Sequence, residues 1–227
     1  MMRSWLFCLL TFCVPALHAA APFTRQPAGK ATVAWRTDSP PVVGTPLWLH
    51  LHGNHDTVEQ AFASLTIAGV LVTLTLPGLS KVYADHFAEP AAFATLMAEV
   101  VATVRRAQPK APWEPGALTV SSFSAGFGGV RQLLRQPAAF DRIGTLVMAD
   151  SIYCGYAGTA AERRVDPSLM EGFTRFAQLA AKGQKRLLIT HTQQVPEGYA
   201  STTETADYLL AAIGGQRQAE EIVWAEG

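Results

Sequence analysis

Short apolar, β-prone runs alternate with amphipathic helical patterns along this chain, and that alternation restricts the fold more than any other feature. The runs are ATVAW at 31–35, LWLHLH at 47–52, GVLVTLTL at 69–76, ALTVSS at 117–122, TLVMA at 145–149, RLLIT at 186–190 and EIVWA at 221–225. Between them apolar residues recur at helical spacing, as in Val58, Phe62 and Leu65, then Phe93, Leu96, Met97, Val100 and Val104, then Phe127, Val130, Leu133 and Leu134. Runs that are apolar on successive residues belong to strands buried on both faces. Strand–helix–strand alternation of this kind builds an α/β domain, a mostly parallel central sheet with helices on both faces, joined by right-handed crossovers. Two helix starts are marked by their chemistry. Asp166-Pro167 supplies a cap and a first-position proline for a helix closing at Gly183. Ser201-Thr202-Thr203-Glu204 is a capping box for a helix running to Gly214-Gly215. Ligands of such sheets collect beyond the carboxyl ends of the strands, so the residues just after each strand are where chemistry is sought.

The chain has 227 residues, of which 49% are apolar, enough for one domain with a sizeable core. Its 18 basic and 18 acidic residues balance, which leaves no footprint for nucleic acid and no polybasic patch. Met1 to Arg3 form a positive start, Ser4 to Leu17 an apolar run, and Ala19 to Ala21 a small-residue site. That is the layout of a secretory signal peptide, and its apolar run is too short to span a bilayer comfortably. The expectation is a leader over residues 1–20, cleaved near Ala19 or Ala20, and an exported domain over residues 21–227. The domain would be periplasmic or secreted, with no stable membrane anchor. Cys8 and Cys13 leave with the leader, so Cys154 has no intramolecular disulfide partner. The last strand finishes at Trp224-Ala225 without a helix to cover it, so the sequence is expected to stop short of a complete domain.

One segment stands out for chemistry. Ser122-Phe123-Ser124-Ala125-Gly126 lies between a strand and a helix. Small residues two before and two after Ser124 permit a tight strand-to-helix turn, which would lift the Ser124 hydroxyl clear of the sheet at the positive end of the helix. Ser122 stands where the usual GxSxG pattern has its first glycine. Leu49 to Asn54, LHLHGN, ends an earlier strand. Acyl transfer needs two backbone N–H donors for the developing oxyanion. One would come from Ala125, and the other from Gly53-Asn54, where glycine allows close backbone approach.

A His-Gly strand end, a strand stopped by Pro77-Gly78, and the SFSAG turn, in this order and spacing, resemble the α/β-hydrolase superfamily over nearly the whole chain from about Thr32. The resemblance implies a Ser–acid–His triad in that chain order, and it identifies no substrate, because the fold hosts many chemistries.

For the acid, the position after the strand that follows the turn holds Asp150, whereas the position one strand further on has only Glu197. For the base, the superfamily places a histidine after the last strand, where this chain ends. His191, at the end of RLLIT, is the only histidine after Asp150. The base is therefore either His191 or a residue beyond Gly227. His55 and Tyr153 are expected in the substrate pocket, under a small cap formed by Ser151 to Arg164. Spacing supports no metal site and no cofactor. Two readings stand: a serine hydrolase acting on a small-molecule or peptide ester or amide, and a catalytically silent secreted binding protein of the same fold.

Overall fold

The computed structural model describes residues 23–65, 68–110 and 113–218. In chain order it contains strand β1 (Phe23–Ala28), β2 (Ala31–Arg36), β3 (Leu47–Leu51), helix α1 (His55–Ser64), β4 (Val70–Leu74), α2 (Ser80–Ala88) and α3 (Ala92–Ala107). There follow β5 (Leu118–Phe123), a 3-10 turn (Ser124–Gly126), α4 (Phe127–Arg135), α5 (Pro137–Arg142), β6 (Ile143–Ala149), α6 (Pro167–Ala181), β7 (Arg186–Thr190) and α7 (Thr202–Ala212). The expected leader over residues 1–20 and the expected strand at 221–225 lie outside the described residues.

The strands form one sheet in the order β1-β2-β4-β3-β5-β6-β7. From β4 to β7 every pairing is parallel, while β1 and β2 add an antiparallel edge. Leu49, Val72 and Val120 are aligned across the sheet centre and fully buried, as continuous apolar strands require. Trp35, Trp113, Tyr83, Phe87, Phe173 and Phe176 complete the core.

Helices lie on both faces. On one, α1 lines a trough of about 580 Å³ with Trp48, His50, Leu71, Ser121 and Val147. On the other, α4 sits on Leu51. The trough opens toward β7, where Leu188 is 56% exposed.

Three elements were not expected from the sequence. β1 carries Pro27, which the pattern assigns to a loop. It is an edge strand, where a missing N–H costs little, and it pairs through a hairpin at Gly29, whose φ is +56°. α2 begins without a side-chain cap, and α5 spans only 6 residues, too short to show a periodicity. The marked helix starts form as written: Asp166 accepts from the Ser168 N–H, and both hydrogen bonds of the Ser201–Glu204 box are present.

Candidate active site

The exit of β5 is where the backbone departs most sharply from strand geometry. Phe123 is still extended, Ser124 has φ +43°, and helix follows at once. A serine held at positive φ is strained, and it persists only where its surroundings fix it. They do so here at close range. A Cβ on Gly126 would overlap the Leu51 carbonyl oxygen and lie 2.8 Å from the Ser122 Cβ. One on Gly128 would overlap the Ser80 carbonyl oxygen at the start of α2. The glycines thus let α4 seat directly on the end of β3 and on α2, leaving Ser124 at the tip of the turn.

Ser122 explains its own departure from glycine. Ser151 Oγ donates to the Ser124 carbonyl at 2.9 Å. Its proton being used, it accepts from Ser122 Oγ at 2.7 Å. Both hydroxyls are fully buried. Together they form a strut from β5 through the loop after β6 to the carbonyl of the strained residue. The fold is α/β, a mostly parallel sheet with helices on both faces.

The Gly53 loop is pinned by its carbonyls. His52 has φ +68° and Gly53 φ +143°. The His52 carbonyl is within 2.7 Å of His50 Nε2, and the Gly53 carbonyl accepts from Thr75 Oγ1 at 2.8 Å. The His52 N–H is spent on the Leu74 carbonyl. Asn54 uses its side chain as the cap of α1, accepting from the Thr57 N–H at 3.1 Å. Gly53 and Asn54 line the trough beside Phe123, whereas Ser124 and Ala125 line a separate cavity of about 400 Å³. Phe123 stacks on His52 with a centroid separation of 6.4 Å.

Asp150 follows β6 at φ +44°. Its Oδ1 accepts from Thr202 Oγ1 at 2.6 Å and from both the N–H and the hydroxyl of Thr192 at 3.1 Å. Its Oδ2 accepts from the Tyr153 hydroxyl at 3.0 Å. Partial burial opposes ionisation, but the donors from Thr202, Thr192 and Tyr153 outweigh it and hold the carboxyl below its ordinary range. The same environment, burial first and then the bond to Asp150, pushes the Tyr153 phenol up to about 12.

The structure does not bring His191 to either residue. Thr203 Oγ1 donates to the Thr192 carbonyl, so it accepts from His191 Nδ1 at 3.0 Å. The remaining nitrogen, Nε2, then carries the lone pair that receives Arg217 Nη1 at 3.0 Å. His191 lines a different cavity from Ser124, beside Leu209, Ile213 and Arg217. His55 also sits apart from the Ser124 cavity, on the first turn of α1, its Nε2 3.6 Å from Glu59. Helix placement explains it: the residue after the Asn54 cap points along α1, not toward β5. Tyr153 does line the cavity, with Leu79, Ser80, Phe127, Arg131 and Tyr199. Of these, Arg131 went unnoticed in the sequence, although it lies only seven positions after Ser124. Among the described residues no cluster of three or more His, Cys, Asp or Glu side chains could hold a metal ion.

Neither the family models nor the curated proteins compared give a match to this sequence. Solved structures do resemble it. A fungal esterase from Rhizomucor miehei is 14% identical, with 89% of this chain and 73% of that one covered and a TM-score of 0.47. An S-formylglutathione hydrolase from Staphylococcus aureus is also 14% identical, with 88% and 87% covered and a TM-score of 0.48.

Proposed function

We propose that this chain is an exported serine hydrolase acting on an ester or amide bond of a small molecule or peptide, with Ser124 as its nucleophile. The observation that carries the reading is the strained Ser124 at a strand-to-helix turn, held by the Ser122–Ser151 strut and open to a cavity. In this reaction Ser124 Oγ adds to the substrate carbonyl carbon. The Ala125 N–H receives the developing oxyanion, and a second donor from Gly53-Asn54 requires that loop to turn from the trough to the Ser124 cavity. The carbonyl re-forms as the alcohol or amine leaves with a proton, and water then hydrolyses the acyl-enzyme to free Ser124. Tyr153 walls the substrate pocket, and Asp150 supplies the acid. His191 takes the part of base, which requires it to leave Thr203 and Arg217.

A second reading is a silent binding protein that uses the same cavity. It is favoured by one observation, the occupation of both His191 nitrogens away from Ser124. Labelling of the folded protein with a fluorophosphonate probe decides between them, because only an activated serine reacts. Labelling lost in Ser124→Ala supports the hydrolase. A folded, unlabelled wild type supports the binding protein, and labelling that survives Ser124→Ala removes Ser124 from the chemistry.

A further inference from the structure

The cavity at Ser124 contains a cation that the protein itself leaves largely unanswered. Arg131 lines it from the second turn of α4. A guanidinium carries five N–H donors in a planar fork. Here Nη2 donates to the Tyr153 carbonyl at 2.5 Å, while Nε is buried with no hydrogen-bond partner. No carboxylate lies within ion-pairing distance of Arg131 among the described residues, and Asp166 acts on it only from beyond that distance. The Phe127 ring, 5.0 Å from the guanidinium carbon, gives a weaker compensation through its face. A desolvated cation left in this state is costly unless an anion meets it.

Its position says where that anion would sit. Ser124 at the turn and Arg131 on α4 line the same cavity. Helical side chains lean toward the N-terminus, so the Arg131 head extends back toward Ser124. Tyr153 and Tyr199 pack edge to face at 5.6 Å and wall the same cavity.

We propose that Arg131 is the specificity-determining residue of this cavity and that it binds a carboxylate on the substrate, a few bonds from the carbonyl presented to Ser124. The favoured substrates are then half-esters or half-amides of dicarboxylic acids, gripped by two parallel N–H donors of the fork. The distance to the reacting carbonyl rests on Ser124 being the nucleophile; the carboxylate grip does not.

The test is calorimetric titration of the wild-type protein with monomethyl glutarate and with dimethyl glutarate, which differ by one charge. The mono-acid is expected to bind about tenfold tighter or more, as one good charge-assisted contact allows. Arg131→Gln, which keeps a donor for the Tyr153 carbonyl but loses the charge, should equalise the two ligands. Arg131→Lys should retain part of the preference. Equal affinities in the wild type, no binding of the mono-acid, or a preference that survives Arg131→Gln would each overturn the proposal. The wild-type comparison stands even if a variant fails to fold. Fluorophosphonate labelling of the same samples reports separately on Ser124, so an unlabelled protein that still prefers the mono-acid refutes the nucleophile and not the carboxylate site.

Discussion

Ser121 and Ser124 come from the same strand and its exit, and each has what the other lacks. Ser121 sits mid-strand, paired across the sheet with His50 and Val147 and nearly fully buried. It already has an imidazole. With the His50 Nε2–H directed to the His52 carbonyl, Nδ1 is left as acceptor, and Ser121 Oγ donates to it at 2.8 Å while accepting from Trp48 Nε1 at 2.6 Å. Ser124 has no histidine in reach among the described residues, yet it has the turn, the helix start and the cavity. On the proposed function, a hydroxyl–imidazole hydrogen bond is not what marks the nucleophile. In a flat central strand it ties one sheet position to the next. Access and an adjacent N–H donor come only from leaving the strand at positive φ.

Mutating the two serines in turn separates their roles most completely. Ser124→Ala is expected to abolish fluorophosphonate labelling, and mass spectrometry of the labelled peptide checks it; a label found on Ser121 would reverse the assignment of the two residues. Gly126→Val should come next in size. Its branched side chain meets the Leu51 backbone, which cannot move as a side-chain tip can. A melting temperature lowered by the equivalent of about 1–3 kcal/mol is expected, together with weakened labelling. Ser121→Ala should leave labelling intact but strand the Trp48 N–H and the His50 lone pair, costing about 1–3 kcal/mol in a denaturant titration.

The smallest effect concerns pH. Burial foremost holds the His50 pKa below its ordinary value. The unfolded chain takes up a proton near pH 6.5 while folded His50 stays neutral, so stability falls as pH drops below that point. His50→Gln should therefore show a shallower decline of melting temperature between about pH 7 and 5. His52 and His86, whose values burial also lowers, keep part of the slope. An unchanged slope would mean that His50 is not held neutral by its place in the sheet.

Much of this architecture is legible in the sequence because periodicity and capping are local signals. The runs at 47–52, 117–122, 145–149 and 186–190 all contain strands, and Asp166 and Ser201 cap helices where their chemistry places them. β1 escapes because an edge strand tolerates Pro27 and only one of its six residues is buried. At the site, the small residues around Ser124 announce the turn, but the Ser122–Ser151 strut depends on a contact between two strands' exits. Arg131 carries no local signal, because Phe127 and Tyr153 come beside it only in the fold. The end of β7 locates His191, whereas its partners Thr203 and Arg217 arrive from α7 and the segment beyond it.

The backbone-tight seat of Gly126 and Gly128 also sets an order of events in folding. Their partners, the Leu51 and Ser80 carbonyls, lie far upstream, so each contact closes a long loop and is slow to form compared with local helix and turn. The helix α4 can take shape early, but nothing holds Ser124 in its left-handed conformation until β3 and α2 have docked against the turn. A compact intermediate with most of its secondary structure would thus lack the turn geometry, and the Ser124 elbow would mature as one of the last features of the native state.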